Sequence, residues 1–493
     1  MLWWLGLPLM MAAFVAAALV RAGLAPAPTR LAPAPTRPDV VVGSNVQVSK
    51  PHADVPHVAT VLAADPQDPQ RLLAGAILID PLSGRRDVVV YVSADGGRTW
   101  EASLNHQNAV DPALAIGPNG AVYFICTDYP LDPRPLESLG LYFFRSGDGG
   151  SHWEQGLPLR FPSYSGLDRP WITTDHTGGR FSGRVYASFH ASATPLLGTS
   201  EGGDMQVLPL LASADGGRTF APSTAGNTRV SHGPGGVIGG PGGVLSDGTY
   251  VAPYIAAIEP TVTMHWKICV ARSTDGGASF GIFSTGAPDM SAVGVLRYPE
   301  TEALLANRQS IGNRLPILAC DPGSTRFKDR LYLVWNDYKE DKGMRVMLSS
   351  SQDKGRSWTR PDFISDIPAQ LRASKRGYAG TPGVAVNKDG VVGVTWYDTR
   401  HLPAGAAGGW DMHFTASADG GATWSPSVRV SETSSLLENP QTDPHVTVPM
   451  DVGDSGGLAA DANGVFHALW LDNRTGTRQL WTATVTVKPE QKN

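Results

Sequence analysis

After about residue 40, apolar positions fall into short runs of strand length, separated by turn residues. The clearest units pair two such runs across a turn, and the second run often ends in Trp and Asp. They are PALAIGPNGAVYFICTD (112–128), RPWITTDHTGGRFSGRVYASFH (169–190), LPILACDPGSTRFKDRLYLVWND (315–337), PGVAVNKDGVVGVTWYDTR (382–400) and GGLAADANGVFHALWLDNR (456–474). Two weaker copies lie at 57–78 and 242–257. Runs bounded by Gly, Pro, Asn and Asp read as strands joined by tight turns. Seven copies of one strand pair predict an all-β chain.

A second pattern lies between these units. The octapeptide Ser-x-Asp-x-Gly-x-Thr/Ser-aromatic occurs six times: 93–100, 146–153 (with His152 in the Thr/Ser place), 213–220, 273–280, 351–358 and 417–424. Its spacing, roughly 50–80 residues, is that of a four-stranded unit with its loops. The chemistry is that of a hairpin turn. The Asp carboxylate is expected to accept from backbone N–H groups two and three residues on. Gly supplies a positive φ, and the aromatic returns to the sheet as an anchor. A carboxylate that closes every repeat is scaffold by its repetition, which argues against a catalytic or calcium-binding role for it.

These octapeptides resemble the Asp box, or BNR repeat, of the sialidase (neuraminidase) superfamily. The resemblance covers nearly the whole chain after residue 40 and implies a β-propeller of four-stranded blades. Seven inner hairpins and six boxes leave the last blade one strand short after WTATVTV (481–487). VQVS (46–49) resembles VRVS (428–431), the strand that follows a box, so the amino-terminal strand is expected to close the ring. The expectation is seven blades over residues 40–488. Six blades, the number in the sialidases proper, is the alternative.

Composition adds to this picture where it departs from the ordinary. The 56 Gly and 39 Pro suit many tight turns, and 13 Trp suit half-buried sheet surfaces. A net charge of −5 gives no nucleic-acid footprint. Cys126, Cys269 and Cys320 sit in apolar runs without zinc spacing and read as buried, unpaired thiols. Residues 1–22 are almost wholly apolar up to Arg21 and read as a signal peptide or a membrane anchor, with residues 1–20 able to tether the chain. Residues 23–39 hold a duplicated LAPAPTR and read as a stiff spacer. An exported protein is expected, whether secreted, periplasmic or anchored outside the cytoplasm.

On a propeller, ligands meet loops that enter the innermost strand and leave the second, on the face opposite the boxes. Arg169 in DRPW and Arg314 in NRLP stand just ahead of an innermost strand. The resemblance implies an arginine there that grips a substrate carboxylate, a bidentate task suited to guanidinium. In the family this arginine belongs to the first blade, whose segment here, DVPHVATV, has none. Sialidase-type chemistry further needs an arginine cluster, a Tyr nucleophile with a Glu partner, and an Asp acid/base. Substrate-binding candidates are Arg169, Arg314, Arg400 and Arg474. Catalytic candidates are Tyr378, Glu300 or Glu302 as its partner, and Asp54 or Asp111 as proton donor. The Asp-x-Arg ends at Asp398–Arg400 and Asp472–Arg474 recur, and recurrence favours blade-to-blade ion pairs and turn caps over a substrate contact there. His52, His57 and His106 with Asp54 and Asp111 offer metal-ligand chemistry, but no zincin spacing is present and solvated loop histidines are expected. No metal or cofactor is expected. The partner implied is a glycan or glycoconjugate, and the function a sialidase-like glycoside hydrolase of exo-α-sialidase type. A non-catalytic propeller that binds a glycan or protein is the alternative.

Overall fold

The computed structural model describes residues 38–488, except 130–138, 163, 194–204, 223–236, 258–264, 281–293, 298–314, 322, 340–342, 373–376, 407 and 437–456. The apolar leader and most of the Pro/Ala spacer therefore lie outside the described residues. Among those described, no helix is long and apolar enough to cross a membrane. The strands form seven antiparallel sheets, and side chains from all seven line one central channel. The fold is a seven-bladed β-propeller, which excludes the six-bladed alternative.

Blade 1 runs outward through His57–Ala64, Leu72–Ile79, Arg86–Ser93 and Glu101–Gln107. Blades 2 to 6 begin with inner strands Ala109–Ile116, Tyr164–Thr174, Val237–Gly239 (continued by Gly243–Val244), Ile317–Cys320 and Ala379–Val386. Blade 7 contains Gly457–Ala460, Phe466–Asp472 and Gln479–Lys488, and takes its outer strand from the start of the chain. Val46 and Gln47 pair with Thr482 and Trp481, as the sequence suggested. Asp39–Val42 extends the closure by pairing with Lys488 to Val485.

The second strands read as continuous apolar runs because each of their faces packs against a neighbouring blade. Leu72–Ile79, Val392–Asp398 and Phe466–Asp472 are buried throughout. Hydrophobic clusters fill the spaces between blades, and the largest spans blades 6, 7 and 1 at the closure. Between blades 3 and 4, Tyr186 stacks on Tyr250 with centroids 4.3 Å apart. Cys126, Cys269 and Cys320 are all free thiols, the first two buried.

The boxes form one network six times. In the first, the Ser93 hydroxyl donates to Asp95 and accepts from the Gly97 N–H, both at 2.9 Å. The Asp95 carboxylate accepts from the N–H groups of Arg98 and Thr99 at 2.9 Å and from the Thr99 hydroxyl at 2.7 Å. These N–H groups lie three and four residues on, one further along than the turn chemistry suggested. The reason is that two successive positive-φ residues, Gly96 and Gly97, widen the loop. His152 takes the hydroxyl's part in the second box, its Nδ1–H donating to Asp148 at 2.6 Å. In the fifth box Lys354 accepts a φ of 61° in a Gly place, and its ammonium lies 2.5 Å from Asp247 of blade 4.

A repeated Arg-Phe-x-x-Arg turn staples neighbouring blades. In blade 3 the guanidiniums of Arg180 and Arg184 each lie 5.0 Å from the Phe181 ring centroid. Arg184 also donates at 2.6 Å to the carbonyl of Gly276, in the box of blade 4. Arg326, Phe327 and Arg330 repeat the arrangement, with Arg330 donating at 2.6 Å to Gly420 in the box of blade 6.

The hydroxyl and N–H of Thr219, with the Ser213 hydroxyl, hold the Asp215 carboxyl well below the usual range. In the fifth box, burial pushes Asp353 upward, but Ser357 and Ser351 outweigh it and bring it down to about 2. A depressed carboxyl stabilises the fold above its unfolded value near ~4, and that contribution is lost as pH falls toward the folded value. Asp215→Ala is expected to lower stability by about 1–2 kcal/mol at neutral pH, less than a buried network would because water can reach the freed donors. Thermal melts of the two proteins check this; equal melting temperatures would contradict the scaffold role.

Candidate functional site

Four inner strands share one irregularity. Pairing with the second strand skips between Val58 and Val61 in blade 1, Val110 and Ala113 in blade 2, Asp168 and Trp171 in blade 3, and Gly380 and Gly383 in blade 6. Each skip is a β-bulge, and in each one residue other than glycine is left-handed: Ala59 (φ 52°), Asp111 (φ 53°), Arg169 (φ 49°) and Thr381 (φ 48°). Pro follows three of the four. An L-residue held there costs about 1–2 kcal/mol. Bulges re-aim a side chain, and backbone strain gathers where a surface is put to use.

The place of the bulges gives them meaning. The residues just after them line the channel, which encloses a cavity of about 170 Å³. Val61, Leu114, Trp171, Pro241, Ile317, Val384 and Leu458 contribute from blades 1 to 7 in turn. The bulged residues therefore form the channel's rim on the face opposite the boxes. Read round this rim, blades 1, 2, 3 and 6 present Ala, Asp, Arg and Thr. The charged pair, Asp111 and Arg169, occupies neighbouring blades.

Blade 3 is braced at this point. The Trp171 indole N–H donates to the Gly239 carbonyl of blade 4 at 3.0 Å, and the Thr174 hydroxyl donates to the Ile116 carbonyl of blade 2 at 2.7 Å. Both hold the strand that carries Arg169. Arg169 keeps a third of its side-chain surface exposed, and its Nε lies 3.8 Å from Asp168, a loose contact. Beside it in blade 2, Asp128 pairs with Arg160 at 2.6 Å.

Arg400 and Arg474 are held closely. Arg400, only 10 % exposed, reaches Asp398 at 2.8 Å and Asp366 at 2.9 Å. Arg474, 14 % exposed, lies against Asp472, donates to Asn45 at 3.0 Å and sits 4.2 Å from the Trp481 ring centroid. Asp398 and Asp472 are fully buried and also accept from the indoles of Trp396 and Trp470, at 2.8 and 3.2 Å. In both places the Trp-x-Asp-x-Arg run is a completed ion pair.

Tyr378 stands at the entry to blade 6, its N–H donating to the Thr399 hydroxyl at 3.0 Å. Asp54 is exposed on the segment before blade 1, five residues ahead of the bulge. Glu300, Glu302 and Arg314 lie outside the described residues. The structure thus brings Asp111 and Arg169 to one register and sets Asp54, Arg400 and Arg474 elsewhere. Thr381 and Ala59 share the rim and were not singled out in the sequence, although the X-Pro dipeptides at strand entry mark three of the four bulges.

The expectation of solvated histidines needs correction for His57. It is fully buried, with Nε2 2.7 Å from the Tyr91 hydroxyl. His106 is half-buried against Tyr142, ring centroids 4.6 Å apart. No group of three or more His, Cys, Asp or Glu among the described residues is arranged to hold a metal ion.

No family model matches this sequence, and no curated protein does. Solved structures similar to the chain include the Hadza microbial sialidase Hz136, at 14 % identity and TM-score 0.43, over 83 % of this chain and 75 % of that one. Another is the NanB sialidase of Streptococcus pneumoniae, at 8 % identity and TM-score 0.42, over 92 % of this chain and 98 % of that one. A third is the α-L-arabinanase of Penicillium chrysogenum, at 15 % identity and TM-score 0.42, over 73 % of this chain and 94 % of that one.

If the rim conformation is kept for what its side chains do, relieving it should not harm the fold. Glycine adopts a φ near +50° without steric cost. Asp111→Gly and Arg169→Gly are expected to leave stability unchanged or to raise it by up to about 1 kcal/mol. Denaturant titration measures this, and a loss larger than that would assign these side chains to the scaffold.

Proposed function

We propose that this Asp-box propeller is a sialidase-like glycoside hydrolase that takes the terminal residue of a glycan at the channel mouth of blades 2 and 3. The observation that carries the reading is the shared register of Asp111 and Arg169 on strained bulges at the rim. Arg169 would grip a carboxylate on the sugar, in keeping with the planar geometry of its fork. Asp111 would protonate the glycosidic oxygen as the bond breaks. Tyr378, with Glu300 or Glu302, remains the candidate nucleophile pair, and Arg314 the candidate second carboxylate contact. The apolar leader, residues 1–22, supports action outside the cytoplasm, where terminal glycan residues are displayed.

One observation favours a second reading, a non-catalytic propeller that binds a glycan. Arg400 and Arg474, two members of the expected arginine cluster, are occupied by carboxylates of their own blades. A binder needs only the rim, not three arginines on one sugar.

Hydrolysis of a fluorogenic α-sialoside separates the two. Turnover by the wild type that falls at least about 100-fold in Arg169→Ala and Asp111→Asn, each with unchanged melting, is the expected outcome. Absence of turnover with retained binding of 3′-sialyllactose supports the binder. Absence of both removes sialic acid from the proposal.

A further inference from the structure

The seam that closes the ring is tied by a hydrogen-bond chain whose proton count can be worked out. The Val55 carbonyl accepts from the Gln479 side-chain amide at 2.9 Å and lies 2.7 Å from His57 Nδ1. A carbonyl cannot donate, so Nδ1 of His57 carries the hydrogen. In the neutral ring Nε2 is then bare and accepts the Tyr91 hydroxyl hydrogen at 2.7 Å. That hydroxyl has only one hydrogen, so its oxygen accepts from His52 Nδ1–H at 2.9 Å.

Adjoining bonds hold the amino-terminal segment to the last strand. The Ser49 hydroxyl donates to Gln479 at 2.6 Å and accepts from the Leu480 N–H at 3.0 Å. The His57 N–H donates to the Arg478 carbonyl at 3.0 Å. On the ligand face, Asn45 accepts from Arg474 and from the Glu432 N–H, at 3.0 and 2.9 Å. His52 is half-buried, while His57 and Tyr91 have no exposed surface.

One added proton can be accommodated. If His57 Nε2 gains it, that N–H donates to the Tyr91 oxygen, and the Tyr91 hydrogen turns to His52 Nδ1, which must then be bare. A second proton cannot. With both imidazoles cationic, two N–H groups face one hydroxyl oxygen, and neither imidazole can accept the hydroxyl hydrogen. We propose that the His52–Tyr91–His57 chain is an acid-operated clasp. Uptake of two protons parts the amino-terminal strand from blade 7 and frees Asn45 from Arg474 at the ligand face.

The charged and titratable groups around the clasp do not cancel this effect. Lys50 and Asp54 are exposed on its own segment, Tyr91 faces it from blade 1, and from blade 7 the Arg478 carbonyl meets the His57 N–H; Glu432 and Arg474 lie further along the seam. Burial brings His57 down to about 3, against the pull of the Val55 carbonyl. Burial also lowers His52, with Asp54 opposing. An opened segment would titrate near the free-imidazole value of about 6.5. Opening is therefore favoured as pH falls below that value, by up to tenfold per pH unit for each imidazole, and does not depend on pH above it.

Hydrogen exchange tests the clasp, with samples held at pH 6.5 to 4.5 and pulse-labelled at one fixed pH. Wild-type amides of 39–48 and 479–487 should lose at least tenfold protection across that range while blade 3 keeps its own. His52→Gln retains an N–H donor toward Tyr91 but cannot take a proton, so its seam should lose protection less steeply, with the slope of a single proton. Seam protection constant from pH 6.5 to 4.5 would overturn the proposal. So would loss in step with blade 3, or an unchanged pH profile in His52→Gln.

Discussion

Closure of the ring is the constraint on which the rest depends. Each blade is an open sheet, and an open sheet presents an unpaired edge of N–H and C=O groups to any passing strand. Six boxes close six blades. The seventh is completed because Asp39–Val42 and Val46–Gln47 pair with the last strand. The largest hydrophobic cluster, with Trp410, Trp470 and Tyr91 buried in it, spans that seam. The channel and its rim are defined only while all seven inner strands are held in a circle.

Within the ring, turns and rim divide the work. The box face is saturated: each carboxylate is satisfied by its own loop, and staples such as Arg184 to Gly276 bind it to the next blade. The opposite face is less uniform. The buried Asp398 of blade 6 and Asp472 of blade 7 are neutralised by Arg400 and Arg474, which fix the ends of the second strands. Asp111 and Arg169 stand on backbone bulges that cost conformational energy, and a third of the Arg169 side-chain surface is exposed. Chemistry on this molecule is therefore expected where the repeat is broken.

What was legible in the sequence follows from the range of the interactions concerned. The boxes are local, so Ser, Asp, Gly and an aromatic at fixed offsets announced the turn and, by repetition, the fold. The closing strand was legible as VQVS because it copies the strand after a box. Asp39–Val42 was not, since it adjoins the Pro/Ala spacer and its pairing partner is more than 400 residues away. The bulges escaped notice because an alternating apolar pattern does not reveal a one-residue slip in pairing. For Arg400 and Arg474 the recurrence of Asp-x-Arg already favoured the ion pair over a substrate contact, and the 2.8 Å distance to Asp398 shows that pair at Arg400. His57 looked like a loop residue because Tyr91, which buries it, lies 34 positions away.

Ligands are proposed to meet the rim opposite the boxes, at blades 2 and 3. Differential hydrogen exchange with 3′-sialyllactose tests this most directly, because it reports the place of binding whether or not hydrolysis follows. Added protection is expected only at amides near Asp111 and Arg169, with the six boxes unchanged. Protection at the box turns, with none at the rim, would contradict the proposal.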